Sequence, residues 1–316
     1  MALPPILQNL RLPVIAAPMF IVSTPDLVIA QCKAGIVGSF PALNARPQSL
    51  LAEWLDRIIS ELAEHDAKNP DAKAAPFAVN QIVHRSNPRL MEDLETCVKY
   101  RVPITICSLG AREDVYAAVH CYGGIALHDV INPMFARKAV EKGADGLIAV
   151  AAGAGGHAGT LSPFALVQEI RAFFDGPLVL SGAIATGGAV LAARAMGADL
   201  AYIGSAFIAT EEANAKPEYK RMVAESHADD IMYTDFFSGV PGSYLKPSVR
   251  AAGFDPENLP TEGTKMDFGR ETKAWRDVWS AGQGIGAVQN VVPAAELVAR
   301  LEREYGAARA RLGLAI

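Results

Sequence analysis

The chain has 316 residues, 51% hydrophobic and 20% charged, with a formal net charge of −5. That is enough apolar material for a large core, and without a Lys/Arg-rich block it lacks the basic face of a nucleic-acid binder. No apolar run reaches the roughly 20 residues that span a bilayer, and the first residues, Met1-Ala2-Leu3-Pro4-Pro5-Ile6-Leu7, show no basic region before an apolar one, so the expected location is cytoplasmic.

In chain order, short apolar runs predict strands at 14–19, 36–40, 77–80, 104–107, 125–128, 146–150, 178–181 and 201–204. Most are continuous rather than alternating, which suits parallel strands buried on both faces. Amphipathic segments between them predict helices at 25–32, 47–65, 88–100, 112–121, 133–142, 162–174 and 188–196. Several open on a proline, whose missing N–H costs nothing in a first turn. Gly143 and Gly197 each follow a helical segment and precede a strand, as left-handed C-caps do. Eight strand–helix units point to an α/β fold, a closed (β/α)8 TIM barrel, over the competing open doubly wound sheet.

After Thr210 the pattern changes. Residues 211–230 are read as the last barrel helix. Residues 236–269, rich in Gly, Pro, Ser and Asn, are read as a lid or helical excursion over the barrel. The chain resumes at 272–284 and closes with a helix at 293–312, whose Arg300, Arg303, Arg309 and Arg311 are expected on a solvated face. The whole, 1–316, is read as one barrel domain, with 211–292 a partly irregular lid or extension. Cys32, Cys97, Cys107 and Cys121 form no CxxC pair, so no metal site is expected and all four are read as buried or partly buried free thiols.

Barrel active sites lie at the C-terminal ends of the strands, and the unusual residues fall there. Pro18-Met19 follows the first strand, Asn80-Gln81 the third and His128-Asp129 the fifth. After the sixth comes a run of small residues, Ala151-Ala152-Gly153-Ala154-Gly155-Gly156-His157-Ala158-Gly159. Glycine allows close backbone approach to a ligand, and a histidine there can exchange a proton near neutral pH. A flexible loop with an incidental histidine is the competing reading. Ser181-Gly182-Ala183-Ile184 and Gly204-Ser205 end the last two strands, where barrels often bind phosphate on exposed amides. Tight turns that need glycine for geometry are the alternative. No GxGxxG follows a strand and no GxxxxGK occurs, so no separate NAD or ATP site is visible.

With these residues in view, the chain resembles the nitronate monooxygenases, also called 2-nitropropane dioxygenases, which are FMN-dependent barrels related to NADH:quinone reductases and flavin-dependent enoyl-acyl-carrier-protein reductases. The motifs are Ala17-Pro18-Met19, Phe77-Ala78-Val79-Asn80, Gly155-Gly156-His157-Ala158-Gly159, Leu180-Ser181-Gly182-Ala183-Ile184 with Ala185-Thr186-Gly187, and Gly197-Ala198-Asp199 leading to Tyr202-Ile203-Gly204-Ser205-Ala206-Phe207. The resemblance runs from about Leu10 to Thr210 and continues weakly at 279–284. It implies FMN as cofactor, contacted by Asn80, Gly155, Gly182, Tyr202, Ile203, Gly204 and Ser205, with Gly156, Ser181 and Asp129 in the same set. Gly182, Gly204 and Ser205 would hold the phosphate, and Pro18 and Met19 would lie against the ring. His157 matches the family's catalytic base.

The implied reaction oxidises a nitronate, or another small electron donor, with O2 to a carbonyl compound and nitrite. Two positions depart from the pattern: Val150 stands where better-known members carry a glutamine, and Asp129 where a related quinone reductase carries a lysine. Asp129 is therefore read either as a flavin-site residue or as a structural one that orients His128 or caps the next helix with Asn132. An NAD(P)H-dependent flavin reductase of quinones or enoyl thioesters, an accessory barrel without turnover and a sugar-phosphate barrel are the competing functions. The sequence leaves a homodimer open.

Overall fold

The computed structural model describes residues 3–260 and 278–314. The expected segments 236–269 and 272–284 therefore lie partly outside the described residues. The strands are β1 (Val14–Ala16), β2 (Gly38–Pro41), β3 (Phe77–Val83), β4 (Ile104–Leu109), β5 (Ile125–Val130), β6 (Gly146–Val150), β7 (Gly156–His157), β8 (Leu178–Ser181), β9 (Leu200–Ile203), β10 (Ile231–Thr234) and β11 (Gly242–Leu245). The helices are α1 (Pro25–Lys33), α2 (Leu50–Lys68), α3 (Leu90–Lys99), α4 (Glu113–His120), α5 (Pro133–Glu141), α6 (Pro163–Arg171), α7 (Gly187–Ala195), α8 (Ser205–Ile208), α9 (Pro217–Glu225), α10 (Lys246–Ala251) and α11 (Ala294–Arg311).

Eight of the strands pair in parallel in the order β1-β9-β8-β6-β5-β4-β3-β2. A parallel bridge between Ile15 and Val37 joins the two ends and closes the (β/α)8 barrel. Each of the eight expected strands is present, with ends shifted by a few residues. Alternation along them sorts the core into two. Ile15, Val37, Ala78, Ile104, Ile106, Leu127, Ile148, Val179 and Leu200 fill the barrel interior. Residues of opposite parity, such as Ala126, Leu147, Ala149 and Leu180, pack outward under the helices.

The helix ends follow from local chemistry. Asn132 accepts a hydrogen bond from Phe135 N–H at 2.9 Å and Thr186 one from Ala189 N–H at 3.1 Å, each satisfying an amide of a first turn. Gly143 and Gly197 adopt φ of 101° and 112°, the left-handed caps expected of them.

Three expectations are corrected. The eighth helix of the ring is not drawn from 211–230: that stretch yields α9, which packs on α8. The position between α7 and α1 is taken by α11, because α11 presents Leu297, Val298, Leu301, Tyr305 and Ala308 as one buried face. Its arginines are not uniformly solvated either, since Arg300 is part-buried and donates to the carbonyls of Ala287 (2.8 Å) and Ala185 (3.0 Å). Cys32, Cys97 and Cys107 are buried as expected, whereas Cys121 is exposed. Among the described residues no helix is long and apolar enough to cross a membrane.

The docking of α11 on α7 depends on Gly187. A Cβ there would lie 2.1 Å from Leu301 O and 2.2 Å from Tyr305 N, and both are backbone atoms that cannot step aside. Gly187→Ala is expected to destabilise the protein by about 1–3 kcal/mol through overpacking, read as a lower urea midpoint at unchanged m-value.

Candidate active site

At the C-terminal layer of the barrel the inward row turns polar. The same alternation that places Ala78, Ile106, Leu127 and Leu200 inside places Asn80, Ser108, Asp129 and Tyr202 above them. Asn80 Nδ2 donates to Ser108 Oγ (2.7 Å) and to Ile106 O (3.0 Å). Ser108 Oγ in turn donates to Asp129 Oδ2 at 2.5 Å. Asp129 Oδ1 and Tyr202 OH are buried and have no hydrogen-bond partner. Burial pushes the Asp129 carboxyl up to about 7, with Ser108 pulling the other way. Burial and the Asp129 charge push the Tyr202 phenol well up.

The structural readings of Asp129 do not hold. Its neighbour His128 faces the helix layer, where Nδ1 meets Tyr116 OH at 2.8 Å, and α5 is capped by Asn132 alone. Ser108 was missed by the sequence reading, which ended the fourth strand at Cys107. Its signal was the inward parity of Ile104 and Ile106.

The glycine segments converge on this layer. Gly182 (φ 137°) and Ala183 (φ 54°) turn the chain sharply as it leaves β8, and a Cβ on Gly182 would lie 2.7 Å from Ala152 O. Ala183 N–H donates to Gly153 O (3.1 Å), which ties the segment after β8 to the one after β6. A Cβ on Gly204 would meet Ala17 Cβ at 3.3 Å and Met19 Sδ at 3.7 Å, so the exits of β9 and β1 touch. One on Gly155 would lie 3.0 Å from Ser205 Oγ. Ser205 Oγ accepts from Gly282 N–H at 2.8 Å, and Gln283 N–H donates to Gly153 O at 2.9 Å. The weak motif at 279–284 therefore lies against the same segments. Ser181 and Tyr202 are register partners facing the mouth, and Pro18 is partly exposed at its rim. Ile203 has the opposite parity: its side chain packs under the helices, leaving only its backbone on the site side.

Part of the expected irregular lid is a three-stranded antiparallel sheet, β10-β11-β7. The signals that hid it are the brevity of β7 and the glycines at its crossing with β11. Gly242 pairs with His157 and Ser243 with Gly156. A Cβ on Gly242 would lie 2.9 Å from Gly156 O, so the two strands meet closely at a residue without a side chain. Tyr233 OH adds a bond to Ala158 O at 2.6 Å. This roof fixes His157. Its Nε2 lies 3.1 Å from Ser238 Oγ, and that hydroxyl donates its one proton to Val240 O (2.9 Å) while accepting from Tyr244 OH (3.1 Å). Burial lowers the imidazole to about 4, so it is neutral at pH 7. Ser238 and Tyr244 carried no sequence signal. Among the described residues no cluster of His, Cys, Asp and Glu suits a metal ion.

The arrangement offers a neutral base under a roof, a polar floor with two unsatisfied atoms, and tight glycine turns along one wall. A family profile described as nitronate monooxygenase matches residues 6–304. A nitronate monooxygenase of Paraburkholderia phytofirmans is 29% identical over 92% of this chain and 92% of its own length. The structure of nitroalkane oxidase from Streptomyces ansochromogenes superposes with a TM-score of 0.79 at 25% identity, covering 98% of this chain and 100% of that one. That of FabK from Thermotoga maritima gives 0.75 at 23% identity over 98% and 96%, a likeness of fold alone. With a match spanning nearly the whole barrel and its roof, the chain belongs to the nitronate monooxygenase family of oxidoreductases.

Proposed function

We propose that the protein is an FMN-dependent nitronate monooxygenase, which oxidises an alkyl nitronate with dioxygen to a carbonyl compound and nitrite. Members of the family are flavoproteins, and the observation that carries the reading is the unsatisfied polar floor. Buried polar atoms without partners are costly, and Asp129 Oδ1 and Tyr202 OH are two of them in one barrel mouth. A planar, heteroatom-rich ring laid on that floor meets both needs. The glycine wall would take the other end of such a ligand, since Gly182 and Gly204, which precedes Ser205 at the end of β9, add no side chain beside their backbone amides. Asn80 and Asp129 would contact the ring, Pro18 and Met19 would border it, and Gly155, Gly156, Ser181, Tyr202 and Ile203 would complete the enclosure, the last through its backbone. Bound flavin supplies the redox chemistry by taking electrons from the substrate carbon and passing them to dioxygen.

The protein's own share is position and proton transfer. His157, neutral and within hydrogen-bond distance of Ser238, can take the α-proton of a nitroalkane on a ring nitrogen. A nitronate has already lost that proton. The roof sheet pairs the His157 strand with β11, and exclusion of water beside it would strengthen every polar contact inside.

Purified protein is expected to show flavin absorbance and to release nitrite from propyl-2-nitronate under oxygen. Rapid anaerobic bleaching by NADH with no nitrite from nitronate would instead make it a flavin reductase. His157→Asn is expected to cut kcat/KM for a neutral nitroalkane by about 10²–10⁴-fold and to leave nitronate oxidation within a few-fold; steady-state oxygen uptake with both substrates checks it. Because burial lowers the imidazole, its basic form persists as pH falls, and the acid limb for nitroalkane turnover should lie below 6.5, toward 4. Gly182→Ala is expected to abolish flavin retention on desalting, since its Cβ collides with a carbonyl and its φ is left-handed.

A further inference from the structure

Asp129 is a buried ionisable group in the barrel mouth that the reaction above does not use as acid or base. Its two oxygens are unlike. Oδ2 accepts from Ser108 Oγ, which itself accepts from Asn80 Nδ2. With Ser108 donating its one proton to Oδ2, Oδ1 is the oxygen left to carry a proton on the carboxyl. Oδ1 is buried and without a hydrogen-bond partner, on the inward row of β5 at the C-terminal layer of the barrel. Asp129 has no ion pair with Lys or Arg among the described residues, and the balance at its carboxyl is burial against the Ser108 hydroxyl. The titratable groups that sense its charge are Cys107 on β4 and Tyr202 on β9, both pushed up and neither a cation. On β5 itself His128 faces the other way, toward Tyr116. In the roof His157 is held neutral.

We propose that Asp129 meets the bound flavin as a neutral carboxylic acid, donating a hydrogen bond from Oδ1 to an acceptor atom of the ring, so that flavin binding at alkaline pH takes up one proton. The inference rests on the FMN reading and deepens it. An ionised carboxylate in this position would have a single hydrogen bond and no counter-charge among the described residues, and it would face the electron-rich carbonyl and nitrogen edge of the ring lone pair to lone pair. The acid form removes that clash, and the carboxyl, held near 7 by burial, carries the proton at little cost around neutrality. Where a lysine would bring a fixed positive charge, this chain brings a donor that is present only below a certain pH. Ser108 is a positioning residue, because it decides which oxygen carries the proton.

By linkage, the dissociation constant for FMN should rise about tenfold per pH unit once the carboxyl of the flavin-free protein is ionised. The test is FMN titration of the full chain by quenching of flavin fluorescence between pH 6 and 9, in wild type and in Asp129→Asn. The amide is isosteric, keeps a donor and cannot ionise. The ionisation of the FMN phosphate is common to both proteins and cancels in the ratio of their constants. The expected result is equal affinity at pH 6 and a wild-type constant that climbs past that of the variant by about 100-fold at pH 9. Calorimetry of wild type in two buffers of different ionisation heat should show close to one proton taken up per FMN at pH 8.5, a readout that needs no variant. A ratio that stays flat with pH, or no proton uptake, overturns the proposal and leaves the FMN reading standing. Failure of wild type to bind FMN at any pH overturns both.

Discussion

The constraint on which the rest depends is the alternation of side chains along eight parallel strands. It makes one row of each strand face the barrel axis, and that row is apolar at the base and polar at the top. The apolar lower layers hold the strands in register and exclude water. The polar upper layer then has nowhere to find partners except in itself and in whatever occupies the mouth. Asn80, Ser108 and Asp129 satisfy each other along a one-way chain, and the remainder, Asp129 Oδ1 and Tyr202 OH, is left over. A floor that is almost but not fully satisfied is costly in an empty protein and useful in a binding site.

The wall and the roof answer different needs. The wall consists of strand exits tied together through backbone groups: Gly153 with Ala183 and Gln283, and Ser205 with Gly282. Such bonds leave little side-chain bulk at the surface, which suits a ligand gripped by its polar tail. The roof instead orders one side chain. His157 sits on a two-residue strand and owes its orientation to β11 and to Ser238, some eighty residues further along the chain. The imidazole and the polar floor are thereby carried by different parts of the fold, one by the roof and the other by the barrel strands.

Much of the barrel was readable because continuous apolar runs bounded by helical patterns admit few other folds, and the residues after those runs fell at one end of the barrel by construction. Asn80, Gly182, Gly204 and His157 were found that way. Ser108 was within reach, since the parity of Ile104 and Ile106 extends to it, but the run of apolar residues had already ended. The roof was not readable, because β7 and β11 cross at glycines and a strand of two residues has no period. The eighth outer helix was misassigned for a related reason. Order along the chain favours α9, whereas the width of the apolar face and the notch at Gly187 favour α11.

The crossing of β7 with β11 bears on how the protein is made. Synthesis runs from the N-terminus, and domains assemble as their segments emerge. The eight barrel strands are all present once Ile203 has been added, and β1 can then pair with β9. The environment of the imidazole needs residues 231–245 as well. A chain ending before Ile231 thus has every strand of the cylinder but lacks the partner strand of His157, the amides of Gly282 and Gln283 that tie the glycine turns together, and α11, so roof, wall and outer ring are all completed by the part of the chain made last.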